Sequence, residues 1–385
     1  MHVTAVGCAA ITLALVAPAV AAASTGAGNP DSTAVEYFAP QGRMARLGLA
    51  PYSDLRWRVD RVRDRPGATG DLGLGRVTVR GGLVFEPAAR ARLRVRAEAG
   101  ARGTFGSDSP GDSWAPVLNE TADTLALDRL AIRVASPSGA LWVALGKQRS
   151  PLRLTEMIWD DDLRPVGVAA SARHDVSAAT TGRLGLGFFT RSRFDRDDAR
   201  IAIAQLVASL REDAASGGDL ALAWLHVAGP DDLGRDLLQR QNAAVATPGG
   251  RVYAEEFDLL DVQLGARAVA GPIPVSLRVD LVRNTAIAEQ RDGVRVRLAL
   301  GGAGVPAGAE LGWVYQRIER EALAGAFNSD DWWFHSRMRG NQVWLRLARG
   351  DALELRLAAF HERRLDLSTP TRRLTAQITG RWPSR

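Results

Sequence analysis

A two-residue alternation of charged and apolar side chains constrains the fold of this chain more than any other feature. From Arg92 to Ala99 the charged residues occupy one phase and the apolar residues the other, and Val275 to Leu281 repeats the alternation. Successive side chains of a β-strand point to opposite faces, so each segment would have one apolar and one charged face. No interior stretch shows a competing helical period of 3.6 residues. The alternation predicts an all-β protein.

About sixteen segments alternate in this way, and most have the roughly 9–11 residues with which a tilted strand crosses a bilayer. They lie at 55–63, 74–85, 91–102, 124–135, 139–148, 166–175, 182–192, 199–211, 218–228, 256–269, 273–284, 292–301, 307–319, 336–349, 351–363 and 372–382. Short links such as 136–138 alternate with long ones such as 149–165, which is typical of an up-and-down barrel in an outer membrane. We therefore predict a transmembrane antiparallel β-barrel of about 16 strands over residues 55–382.

Aromatic residues fall mainly near the ends of these segments. Such positions are typical of the two girdles at which aromatic rings meet the lipid head groups. The alternative is the ordinary scatter of aromatic residues in a large protein. The residues concerned are Trp57, Phe85, Trp142, Phe188, Trp224, Trp313, Trp344 and Trp382.

The N-terminus carries an apolar run from Val3 to Val20, followed by three alanines before Ser24. Small residues after a short apolar run are typical of a secretory signal peptide, which we expect at residues 1–23. A membrane anchor is the alternative interpretation. Residues 24–54 are expected to be an extended or partly disordered N-terminal segment. The only cysteine, Cys8, lies in the apolar run, so removal of the signal would exclude disulfides and zinc–thiolate sites.

The formal net charge is +6 and the sequence contains a single lysine, Lys147, the other basic residues being arginines. A sequence pI near 10.3 would fit nucleic-acid binding only if the arginines formed a patch. They are instead spread along the strand segments, so we predict no nucleic-acid partner. The histidines are scattered without the spacing of metal ligands. Gly111-Asp112-Ser113 lies in a loop without the strand–helix context of a hydrolase nucleophile. We therefore predict neither an enzyme nor a cofactor.

Three stretches resemble a porin family of Gram-negative outer membranes. The first runs from Leu145 through Gly146-Lys147 to Pro151 and continues as Trp159-Asp-Asp-Asp-Leu-Arg-Pro-Val-Gly-Val168. The second is the strand segment Val279–Asn284. The third is Phe327–Trp332 with the following Gln342-Val343-Trp344. The likeness extends over residues 74–382, and it implies a barrel channel in the outer membrane of a Gram-negative bacterium.

If the apolar residues of each strand face lipid, the charged residues that alternate with them face the lumen. An arginine that faced lipid instead would cost about 2–4 kcal/mol at the midplane. Arginines of the first three strands then share a wall with those of the last strand, because the last strand adjoins the first in a closed barrel. The predicted basic wall of the pore consists of Arg56, Arg58, Arg76, Arg80, Arg92, Arg94, Arg96, Arg373 and Arg381.

The link near 149–165 is the third long loop of the predicted barrel, and in sixteen-stranded porins this loop folds inward and narrows the pore. We expect an acidic constriction there, facing the basic wall with an electric field across the pore. Its residues are Glu156, Asp160, Asp161 and Asp162. Two alternatives remain open. The charges could simply pair along the wall, or the three aspartates could bind calcium.

The resulting prediction is a passive diffusion channel for small hydrophilic solutes with a mild preference for anions. The alternatives are a substrate-selective anion channel, a barrel enzyme and a structural barrel with a plugged lumen. Its partners would be outer-membrane lipids, the solutes or anions themselves, and two further copies of the chain in a homotrimer.

Overall fold

Strand formation follows the two-residue alternation along nearly the whole chain. The computed structural model describes residues 47–66, 70–87, 93–106, 124–190, 199–211, 216–229, 241–248, 250–302, 305, 308–329 and 331–382. All of these residues belong to one compact unit of the chain. The predicted signal peptide, most of the segment 24–54, and Arg92 and Asp330 lie outside the described residues.

Eighteen strands occur in the described part of the chain. They are β1 (Leu49–Arg63), β2 (Leu72–Phe85), β3 (Arg94–Gly106), β4 (Thr124–Ala135), β5 (Leu141–Lys147), β6 (Val166–Asp175), β7 (Thr180–Thr190), β8 (Arg200–Arg211), β9 (Gly217–Ala228), β10 (Ala244–Thr247), β11 (Gly250–Tyr253), β12 (Phe257–Ala270), β13 (Ile273–Asn284), β14 (Asp292–Gly301), β15 (Glu310–Ile318), β16 (Met338–Arg349), β17 (Leu353–Arg364) and β18 (Thr371–Trp382).

Sixteen of these strands form one closed antiparallel barrel, in which each strand pairs with its neighbours along the chain and β18 closes onto β1. The remaining two, β10 and β11, form a separate hairpin inside the long link between β9 and β12. The predicted fold class and strand number are thereby confirmed. Within the described residues, no helix is long and apolar enough to cross a membrane.

The first strand begins at Leu49, whereas the sequence predicts a start at residue 55. Pro51 lacks a backbone N–H and so argues against a central strand there. In the barrel, however, Pro51 pairs only with Leu83 of β2, because the pairing of β1 with β18 begins at Ser53. The edge position beyond the end of β18 tolerates the proline, so the strand extends further than the sequence predicts.

The register keeps one phase of every strand inside the barrel. Leu345 of β16 faces outward opposite Leu311 and Leu357, while the next residue, Arg346, faces inward opposite Glu310 and Arg356. Leucine, valine and isoleucine side chains of the outer phase are widely exposed on the described strands. This surface suits lipid, which covers an apolar band around such barrels.

Two tryptophans depart from the predicted girdles. Trp57 and Trp382 are exposed on the outer face, as are most of the predicted girdle residues, but Trp142 and Trp344 are buried inside the barrel. Each lies under an inward arginine, with the guanidinium carbon of Arg133 4.3 Å from the Trp142 ring and that of Arg297 5.1 Å from the Trp344 ring. The position of a residue in the two-residue alternation decides whether its side chain faces inward or outward. Its distance from the strand end does not.

The barrel has two different ends. Short links such as 271–272 and 350–352 lie at one, called here the short-turn end, and long links such as 148–165 and 319–337 lie at the other, the long-loop end. The links 148–165 and 319–337 are called loop A and loop B. Both contribute to a buried apolar cluster with inward residues of the wall. Its members include Met157, Ile158, Trp159, Leu163, Leu323, Phe327, Trp332, Phe334, Phe257, Leu259, Ile201 and Ile203.

Candidate pore constriction

The inner face of β1–β3 and β18 carries the predicted basic wall. Alternation and register place the described members of that set, all but Arg92, on the inward phase of their strands. Arg58 is the register partner of Arg76 across β1 and β2, and both side chains are buried. The arginines therefore share one wall, but they lie at different heights along it and have different partners.

Asp162 of loop A is the carboxylate that meets this wall directly. Arg56 Nη1 lies 2.9 Å from Asp162 Oδ2, and Arg80 Nη2 donates to Asp162 Oδ1. Arg102 Nη1 adds a longer contact of 3.4 Å to the backbone carbonyl of Asp162. Burial alone would raise the pKa of the Asp162 carboxyl, but Arg56 and Arg80 hold that pKa well below its ordinary range. The carboxylate is thus charged and held by two strands.

This contact differs from the expected field across an open pore. An aspartate that is 11% exposed has lost most of its water, so it is stable as an anion only in direct contact with cations. Asp162 therefore closes onto Arg56 and Arg80 and does not face them across a gap. The ion pairs of Asp162 agree with the alternative interpretation, in which the charges pair with one another along the wall.

The other end of loop A is attached to the opposite side of the barrel. Arg153 forms an ion pair with Asp219 of β9, and its Nε donates to Gln263 of β12 at 3.1 Å. Thr155 Oγ1 donates to Asp280 of β13 at 2.9 Å. Glu156, a predicted constriction residue, pairs with Arg295 of β14. Loop A thus bridges the lumen from β12–β14 to β1 and β2.

A bulge in β4 supplies a further attachment for loop A. The register between β3 and β4 shifts at Gly100 and Ala101, which leaves Asp128 as an extra residue, and both Asp128 and Arg129 are buried inside. Bulges redirect side chains in this way. Asp128 Oδ1 lies 3.2 Å from Arg164 Nε at the end of loop A. Burial and the neighbouring Arg149 lower the pKa of Arg164 to about 9, so it remains charged at neutral pH.

The three consecutive aspartates of loop A do not converge on one point. Asp160 Oδ1 accepts the backbone N–H of Asp162 at 2.7 Å, whereas the Asp162 carboxylate turns to the arginines of the wall. Among the described residues, no group of three or more acidic, histidine or cysteine side chains is arranged to hold a metal ion. The calcium interpretation therefore has no support in the geometry of Asp160 and Asp162.

Loop B brings a second aspartate to the basic wall. Asp331 Oδ1 accepts from Arg58 Nη1 at 2.7 Å, and Arg356 Nη1 lies 3.3 Å from Oδ2. Arg373 Nη1 donates to the Asp331 carbonyl at 2.7 Å, while its Nε pairs with Asp60 at 3.0 Å. Burial alone would raise the pKa of Asp331, but Arg58, Arg356 and Arg373 hold that pKa well below its ordinary range.

The two loops are also joined to each other. The rings of Trp159 and Phe327 stack with centroids 5.6 Å apart and an angle of 9° between their planes. The backbone N–H of Asp160 donates to the Phe327 carbonyl at 2.7 Å, and that of Ser329 donates to the Glu156 carbonyl at 3.0 Å. The loops therefore form one connected layer inside the long-loop end.

Three of the predicted arginines lie toward the short-turn end, away from the loops, whereas Asp161 is an exposed residue of loop A. Arg96 Nε pairs with Glu98 of its own strand at 2.9 Å. Arg94 and Arg381 make longer contacts of 3.5 Å, to Glu86 and Glu354 respectively. The predicted set thus divides into residues that hold the loops, such as Arg56, and residues that line the short-turn end.

Several residues of the site are missing from the sequence prediction. Asp331 lies in a stretch that the resemblance picks out, and its apolar neighbours Trp332–Phe334 are unusual for a solvated loop, which is a usable signal of an inward loop. Asp128 and the next residue, Arg129, are two consecutive polar residues that break the alternation. Arg153 and Arg164 give no signal, because their partners are distant in sequence.

Comparison with known proteins identifies the fold. No family model matches the sequence, and the comparison with curated proteins gave no match. The low-pH structure of Pseudomonas putida OprB matches with a TM-score of 0.54 and 11% identity, covering 88% of this chain and 94% of that one. A substituted Rh. blastica porin matches with a TM-score of 0.52 and 10% identity, covering 87% of this chain and all of that one. At this identity the similarity concerns the fold, which is that of porin barrels.

Proposed function

We propose that this chain is an outer-membrane porin, a passive diffusion channel for small hydrophilic solutes with a mild preference for anions. The observation that carries the proposal is a closed sixteen-stranded barrel with an apolar outer face, a charged inner face and a loop folded across its lumen. A polar lumen behind an apolar outer band is how such barrels carry water-filled paths through lipid. We further propose a signal peptide at residues 1–23, a segment at 24–54 that precedes the barrel, and a homotrimeric assembly.

The preference for anions is supported by arginines near the short-turn end. Arg133 is the register partner of Arg96, and its guanidinium lies over the inward ring of Trp142. The nearby carboxylates are already paired, Glu98 with Arg96 at 2.9 Å and Glu86 with Arg94 at 3.5 Å. Charges that line a pore bias which ions pass. A solute that traverses this region would meet more cationic than anionic side chains.

The test is the single-channel conductance of the refolded protein in a planar bilayer, with a salt gradient to give the reversal potential. Stable conductance steps with anion preference are expected. A reversal potential of the opposite sign would keep the channel and refute the basic wall as its filter. A folded barrel without conductance would refute the channel itself.

A plugged structural barrel is the second candidate, and the apolar layer of loops A and B favours it. Met157, Leu323 and Phe327 are buried in that layer, in which the two loops contact each other. A substrate-selective anion channel is a further candidate, distinguished by saturation of the conductance with one solute. Catalysis by the barrel has no comparable support, and we propose a channel and not an enzyme.

A further inference from the structure

The outer face at the long-loop end carries a row of three arginines on adjacent strands. Arg317 of β15 is the register partner of Arg339 of β16, which is in turn the register partner of Arg363 of β17. All three belong to the outward phase of their strands, as do Leu311, Leu345 and Leu357 further down the same strands. This set is called the arginine row.

Like charges directly opposite each other in a sheet are destabilising unless an anion lies between them. Arg317 has a carboxylate partner, Glu319, at 2.9 Å. Among the described residues, Arg339 and Arg363 have neither an ion-paired nor a hydrogen-bonded side chain as partner. The nearby Asp366 is taken by Arg364 at 2.6 Å and by Arg337 at 3.2 Å. The row therefore has an unmatched positive charge.

The height of the arginine row on the barrel identifies its surroundings. One step further into the barrel the outward residues are Tyr315, Asn341 and His361. The step after that is Trp313, Val343 and Ala359, and Trp313 Nε1 reaches back to Asn341 Oδ1 at 3.2 Å. Two steps thus lead from arginine through polar and aromatic side chains to the apolar band. Such an order is typical of the boundary between lipid head groups and hydrocarbon.

We infer that the arginine row binds the phosphate groups of an anionic lipid in the outer leaflet. Guanidinium groups bind phosphate with two parallel hydrogen bonds, and adjacent arginines can share one phosphate group. Long loops of outer-membrane barrels are extracellular, which places this end in the leaflet that contains phosphorylated glycolipids of the lipid A type. The inference rests on the proposed membrane location and adds a defined lipid site to it.

The test measures retention of lipid A by the full chain purified in detergent, with bis-phosphorylated lipid A and its dephosphorylated form as the two probes. The bound lipid is quantified from its acyl chains, so the readout does not depend on the phosphate. We expect Arg339→Gln to weaken binding of the phosphorylated form about fivefold, and the triple glutamine variant of the row about a hundredfold. Binding of the dephosphorylated form should change little.

Two variants serve as controls. Arg349→Gln removes an arginine from the same strand and the same outward phase at the short-turn end, where its register partner is Leu353, and binding should be retained. Substitution of all three row residues by lysine keeps the charge but removes the paired hydrogen bonds, so this variant should bind more tightly than the triple glutamine variant and more weakly than the native protein.

Equal binding of the two probes would overturn the inference, as would an Arg349→Gln loss as large as that of Arg339→Gln. Displacement of lipid A by inorganic phosphate at similar concentration would also overturn it, since the ligand would then be free phosphate. If the protein conducts but shows no phosphate-dependent binding, only the proposed lipid site is refuted. If the protein binds lipid A but does not conduct, only the proposed channel is refuted.

Discussion

At the scale of single residues, the inner wall contains partly buried aspartates that are each held by two or three arginines. Asp162 and Asp331 reach the wall from two different loops, and each is charged because its arginines replace the water that burial removes. A residue of this kind both neutralises the wall and attaches a loop. In the proposed channel, the charge that a solute meets therefore depends on whether these two aspartates stay in place.

Replacement of Asp162 by asparagine should increase the preference for anions. The change removes one negative charge from the lumen, namely the loop A carboxylate that Arg56 and Arg80 share. We expect the chloride-to-potassium permeability ratio to rise roughly two- to fivefold, which corresponds to about 0.4–1 kcal/mol at 25 °C. Reversal potentials in a salt gradient measure it. Asp175→Asn, an exposed position at the short-turn end, is the control, and an equal change there would contradict the prediction.

Attachment of the loops should resist acid down to about pH 4. The pKa values of Asp162 and Asp331 are lower in the folded protein than the unfolded value of about 3.9. Their stabilisation is therefore complete above about pH 4 and is lost only as the pH falls through the lower folded values. Limited proteolysis of the two loops as a function of pH measures this. Release of the loops between pH 5 and 6 would show that other groups control their attachment.

At the scale of elements, strands and loops fit each other through small residues and one bulge. Leu152 of loop A packs over Gly185 and Gly187 of β7, and a Cβ at Gly185 would lie 2.6 Å from Leu152 Cδ2. The bulge in β4 turns Asp128 toward Arg164. The wall thus has glycines where loop A packs against it and a charged residue where loop A ends.

Gly185→Val should displace loop A from β7. The added side chain overlaps Leu152, and overpacking of this kind costs about 1–3 kcal/mol. We expect faster proteolysis within 148–165 and a changed conductance, with the barrel still folded. Gly182→Val is the matched control on the same strand, because its Cβ would meet only the His174 carbonyl, at 3.9 Å. Equal proteolysis of both variants would contradict the packing.

At the scale of the whole molecule, closure of the sheet and filling of the lumen are separate features. Closure comes from continuous register, through β18 back to β1, and leaves no unpaired edge in the barrel. Filling comes from loops A and B, which meet at Trp159 and Phe327. A porin in which this layer is a fixed part of the wall and a barrel in which it is a plug would share the same strands.

A disulfide between the two loops distinguishes these cases. Glu156→Cys with Ser329→Cys places two thiols where the loop backbones are hydrogen bonded, and the native chain has only Cys8. If the layer is a fixed wall, as the proposed channel requires, oxidation leaves the single-channel conductance as in the reduced variant. A conductance that disappears on oxidation and returns with reductant would show that the loops must separate for the channel to open.

The strands could be predicted from the sequence because their signal is local. The segments 166–175, 273–284 and 292–301 have the predicted bounds, and the phase of Arg56 or Arg373 follows from its apolar neighbours. Where local rules conflict, as at Pro51 or the bulge beside Asp128, the bounds and directions were decided by pairing with another strand.

The sequence by itself determined the class of fold, the number of barrel strands and which residues face inward, because a two-residue period fixes the face of every side chain in a strand. The tertiary structure alone decided the partners. Asp162 meets Arg56 across 106 residues and Asp331 meets Arg58 across 273. No local pattern encodes such a distance, because it arises only when the barrel closes and brings the loops against the wall. For the same reason the arginine row is invisible in the sequence, since its members become neighbours only through the register of three strands.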